Sequence, residues 1–137
     1  MKKNPLIVFD CDGVIVDGID EYWISSKKSC LKLLASESNN IQLPNSVPEE
    51  FKYLRPWVQH GWEMVLLTGE LIRAESPLVK EGFKNFSDQY KTYCKQALEI
   101  WGWSPLQLQD TLDSVRRELI AEDLKNWIGR YKAFPGV

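Results

Sequence analysis

The chain has 137 residues, 44% of them hydrophobic, enough for one globular domain with a real core and too few for two independent ones. Seventeen Lys and Arg against nineteen Asp and Glu give a formal charge of -2, without the basic excess that phosphate-backbone binding demands, which excludes nucleic acid as a main partner. Cys11, Cys30 and Cys94 are odd in number, widely spaced and without His clusters, so the pattern suggests buried thiols and neither a disulfide framework nor a zinc site.

The opening MKKNPLIVFD breaks its apolar run at Asp10, short of a signal peptide core or a membrane span, so a soluble cytoplasmic protein without a membrane partner is expected. Within it, Leu6 to Phe9 read as a strand buried on both faces. After Asp20 the pattern turns helical: Trp23, Cys30, Leu31 and Leu34 recur at helix spacing, with Lys27, Lys28 and Lys32 on the other side. Asn39, Asn40, Pro44 and Asn45 mark a loop. Ser46-Val47-Pro48-Glu49 resembles a capping box that opens a helix carrying Phe51, Leu54 and Val58, with Pro56 kinking it or rebuilding a first turn.

Residues 76 to 82 read as loop, and Tyr90, Cys94, Ala97, Leu98 and Trp101 form a stripe stopped by Gly102. Ser104-Pro105-Leu106-Gln107 repeats the capping pattern, after which Leu112, Val115, Leu119, Leu124, Trp127 and Ile128 carry a long helix or a broken pair. Ala133 to Val137 are loop-like, and no internal repeat is present. His60, the only histidine, sits beside Gly61 as a helix-end residue. The six tryptophans fall mostly on helical stripes and are assigned to core packing, with Trp101 and Trp103, which flank a helix stop, as candidates to line a surface over an active site.

One stretch stands apart. Val8-Phe9-Asp10-Cys11-Asp12-Gly13-Val14-Ile15-Val16-Asp17-Gly18 sets an apolar run against three carboxylates. Asp12-Gly13 is a hairpin signal, and in that reading the acids simply face water. Against it, Asp10 lies at the carboxyl end of a buried strand, where open α/β sheets place their ligands, and a residue two positions on points to the same side. Two carboxylates in one small space repel unless a cation or phosphate chemistry holds them there, and the pair suits a nucleophile and a proton donor.

The stretch resembles the first signature of the haloacid dehalogenase superfamily, an Asp-x-Asp-Gly pattern closing the first core strand, met here by Asp10, Asp12 and Gly13 and more loosely by Asp17. The resemblance implies an α/β, Rossmann-like core. It implies that Asp10 attacks phosphorus to form an aspartyl-phosphate, that Asp12 protonates the leaving group and then activates water, and that Gly13 lies in the phosphate-binding loop. It further implies magnesium (Mg2+), held through the Asp10 side chain and the Asp12 backbone carbonyl, and a small phosphorylated metabolite as partner. Asp12 favours phosphoryl transfer over carbon-halogen cleavage, since dehalogenase members lack it.

The rest of the family pattern departs: a Ser or Thr ending a second strand, a phosphate-holding Lys and a later acidic pair are not clear in the chain. Two arrangements remain open. In the first, 1–18 are the first strand and nucleophile loop, 19–132 a helical cap inserted after them, and 133–137 a return segment, so the chain is mostly α and stops where the remaining core would begin. In the second, a capless core, Glu63 to Gly69 is the second strand and Thr68 binds phosphate. Capping signals at Ser46 and Ser104 and the lack of further strands favour the first, with Trp62 to Arg73 helical and Met64, Leu67 and Leu71 packed inward. The expected function is a magnesium-dependent phosphatase-like hydrolase, incomplete in this chain; the alternative is a truncated or degenerate, non-catalytic helical interaction module.

Overall fold

The computed structural model describes residues 18–35 and 41–133, apart from the side chains of 123 and 125–133. These residues form helices α1 (Ile19–Leu33), α2 (Glu49–Leu54), α3 (Gly61–Ile72), α4 (Pro77–Glu81), α5 (Phe83–Asp88), α6 (Tyr90–Trp101) and α7 (Pro105–Ala133), with a 3-10 turn at Arg55–Trp57. No strand occurs among the described residues, so they are mostly α as expected. No described helix is long and apolar enough to cross a membrane.

α1, α3 and α7 pack on one another and form the centre, with α4 and α6 also against α3. The stretch Glu63 to Glu70 in α3 is buried at every position. Leu66 and Leu67 join Cys30, Leu54, Phe86, Ala97, Leu108 and Leu112 in the main core. Met64 joins Trp23 and Phe51 in a second cluster, and half-buried Leu71 packs against both. There the Trp23 and Phe51 rings meet edge to face at 5.1 Å, and the Trp23 indole N–H donates to Pro44 O at 3.0 Å, tying the incoming loop to α1. Asp20 and Glu21 in the first turn of α1 and Lys32 in its last complement the helix dipole.

The α6 and α7 boundaries follow the sequence signals. Gly102 ends α6 at φ +73, a left-handed conformation that glycine adopts without a Cβ penalty, and its N–H returns to Leu98 O at 2.9 Å. Ser104 Oγ accepts from Gln107 N at 3.1 Å and Pro105 takes the first helical position. α7 is one continuous helix of 29 residues, which decides between the long helix and the broken pair.

Several expectations need correction. Ser46 caps nothing: α2 starts at Glu49, with Pro48 in the N-cap position at extended φ and ψ and no side-chain cap bond. Pro56 falls in the 3-10 turn, because its missing N–H and ring end α2 at Leu54. Residues 76 to 82 are not loop throughout. Ser76 Oγ accepts from Val79 N at 3.2 Å and caps α4, with Pro77 at the first position. The buried stripe of α7 is Leu108, Leu112 and Val115, whereas Leu124 is 52% exposed.

Candidate functional site

Asp10, Asp12, Gly13 and Asp17 lie outside the described residues, as does the strand expected at 6–9. The described chain enters the bundle at Gly18, whose carbonyl accepts from Tyr22 N at 2.9 Å. Two guanidinium groups flank the Tyr22 ring, Arg55 at 4.9 Å and Arg116 at 5.5 Å from its centroid, and Arg116 also pairs with Glu21 at 3.2 Å. Arg55 and Arg116 therefore stand against the first turn of α1, where Asp20 and Glu21 carry the opposite charge.

Thr68 is helical and fully buried, and its hydroxyl donates to Met64 O at 2.8 Å. The strand alternative for 63–69 is thereby overturned, and Thr68 is not a phosphate ligand: its hydroxyl is spent inside α3 and no surface reaches it. The expected inward packing of Met64, Leu67 and Leu71 is present.

Two buried carboxylates that the sequence reading passed over organise the bundle instead. Glu70 is completely buried and takes both Nε and Nη2 of Arg73, at 2.9 and 2.7 Å, plus the Trp101 indole N–H at 2.8 Å. Trp101 stacks on Trp103 with centroids 4.5 Å apart and planes 6° from parallel, and the pair covers Gly69. These tryptophans are half-buried packing residues.

Glu63 sits at the third position of α3 with its side chain 8% exposed. Its Oε2 accepts the His60 backbone N–H at 3.0 Å and lies 3.0 Å from His60 Nδ1. Its Oε1 accepts the Tyr90 hydroxyl at 2.7 Å and the Gln59 N–H at 3.4 Å. His60 is thus the N-cap residue of α3, as its neighbour Gly61 suggested. The signal that could have found this hub is the spacing itself, an N-cap residue followed three positions later by Glu.

The electrostatics hold the Tyr90 end of the hub neutral. Burial, then the neighbouring Cys94 and the bond to Glu63, hold the Tyr90 hydroxyl in its neutral, donating form by raising its pKa. Burial pushes the Cys94 thiol up to about 12, so it is no nucleophile at neutral pH. Beside the hub opens a cleft of about 260 Å3 lined in part by Trp57, Trp62, Lys91 and Lys95. Such an arrangement leaves room for a small ligand beside Glu63.

No group of three or more His, Cys, Asp or Glu side chains among the described residues is placed to hold a metal ion. Comparison of the chain with protein-family models, with curated proteins and with solved structures finds no match.

Proposed function

We propose that the chain supplies the nucleophile strand and helical cap of a phosphohydrolase of the haloacid dehalogenase type, acting on a small phosphorylated metabolite. The observation that carries this reading is the Asp10-x-Asp12-Gly13 pattern at the end of an apolar run. One feature supports it: the described residues that follow are helices without a strand, as a cap would require.

In this reading the Asp10 carboxylate attacks phosphorus and the P–O bond to the leaving group breaks, with the departing oxygen taking the Asp12 proton. Asp12 then removes a proton from water, which attacks the aspartyl-phosphate and releases inorganic phosphate, restoring both residues. Magnesium would be held by Asp10 and Asp12 and would neutralise charge on the phosphate; the donor set, a carboxylate and a carbonyl oxygen, suits that hard cation.

The test is hydrolysis of p-nitrophenyl phosphate with magnesium by the protein expressed from its complete reading frame. Turnover should fall by several orders of magnitude in Asp10→Asn, which keeps the shape and removes the nucleophilic charge. Near-normal turnover in that variant would refute the reading.

A further inference from the structure

The cleft beside the Glu63 hub is built from described residues and includes none of those assigned to the phosphohydrolase chemistry. Its walls and floor include Trp57, Trp62, Tyr90 and Leu98, so much of its surface is aromatic or aliphatic. The His60 ring lies nearly parallel to Trp62, planes 11° apart and centroids at 6.2 Å, which adds a further flat face to the wall. At about 260 Å3 the cleft lies just below the roughly 300–1,000 Å3 typical of ligand pockets, which limits it to a small ligand.

The polar groups are distributed unevenly. Glu63 is already saturated by Tyr90 and the Gln59–His60 backbone, so its carboxylate is tied to the protein and unavailable to a ligand. Lys91 and Lys95, four residues apart and therefore on one face of α6, are both exposed and form no ion pair with a described residue. Lys32, Lys52 and Lys80 by contrast each pair with a carboxylate. The Trp57 and Trp62 indole N–H groups likewise lack a hydrogen-bond partner among the described residues. Two positive charges and two N–H donors on cleft-lining residues are thus not engaged by a described residue.

We propose that this cleft binds a small planar aromatic anion, its ring between the Trp57 and Trp62 side and Leu98, and its anionic group on Lys91 and Lys95. Aromatic faces supply contact area at little conformational cost, and two lysines on one helix face supply the charge selectivity. The site stands independently of the Asp10 chemistry, since neither its residues nor its ligand enter the proposed reaction.

Naphthalene-2-sulfonate is the probe, titrated into the protein labelled with 15N at tryptophan, with the indole signals assigned through Trp57→Phe and Trp62→Phe. The Trp57 and Trp62 signals should shift saturably, while those of the buried Trp23 stay in place. The Lys91→Gln/Lys95→Gln variant should bind about fivefold more weakly, and Lys84→Gln, an exposed lysine on α5, as well as the parent. The neutral 2-naphthylmethanol should also bind about fivefold more weakly than the sulfonate. Absence of a saturable shift, shifts confined to other tryptophans, or equal binding by the double variant or the neutral compound would overturn the proposal. Both lysines are exposed, so the double variant folds and its result is interpretable.

Discussion

The Tyr90 hydroxyl donates to Glu63 Oε1 at 2.7 Å across two helices, with Tyr90 7% and Glu63 6% exposed. A buried carboxylate oxygen that loses its donor keeps its desolvation cost, so Tyr90→Phe should destabilise the bundle by about 1–3 kcal/mol. Tyr93→Phe is the contrast, because its hydroxyl reaches only Glu81 and Asn85 at 3.4 Å near the surface, and its effect should stay within about 0.5 kcal/mol. Urea unfolding of the two variants checks the difference; equal midpoints would contradict it.

Gly69→Ala should destabilise, although alanine is ordinarily the better helix residue by about 1 kcal/mol. The added Cβ would meet Trp103 at 3.0 and 3.2 Å and Trp101 at 3.3 Å. These rings cannot easily give way, since each packs on the other and Trp101 is pinned to Glu70. Overpacking of this kind costs about 1–3 kcal/mol, which outweighs the propensity gain. A thermal melt showing an unchanged or higher midpoint would show that the stack yields.

Cys30 and Cys94 are both pushed up to about 12 by burial. Iodoacetamide at pH 8 should therefore leave both unlabelled in the folded protein and label both in urea, as read by peptide mass spectrometry. The sign of the pH dependence follows. Unfolded thiols ionise near about 8.5, so the stability carried by the neutral buried thiols is complete below that value. It is lost progressively as the pH rises toward 12, and urea midpoints should decline over that window.

For the proposed reaction, Asp12→Asn should slow hydrolysis of alkyl phosphates more than that of p-nitrophenyl phosphate. A stable phenolate departs without a proton, whereas an alkoxide does not. Steady-state rates on both substrates check this, and equal losses would count against an acid role for Asp12.

How much of this was legible depended on contrast between helix faces. α6 and the first half of α7 alternate buried and exposed positions, so Tyr90, Cys94 and Ala97, or Leu112 and Val115, stood out. α3 is buried all round from Glu63 to Glu70 and shows no such contrast, which is why Glu63 to Gly69 also fitted a strand. α4 and α5, five and six residues long, carry too few positions for a stripe; only Ser76-Pro77 announced the first, in the same form as Ser104-Pro105. Glu63 and Glu70 were passed over because a charged residue in a helical run is normally solvated, and here tertiary donors reverse that.

The enclosure of α3 has a consequence for how the bundle comes apart. A helix with no solvent face of its own cannot lose α1, α6 or α7 without baring a row of leucines and stripping Glu70 or Glu63 of hydrogen-bond partners. Partial detachment therefore exposes core that the remaining helices cannot cover. The described bundle should lose its structure in a single cooperative step, with proteases finding no stable intermediate to trim.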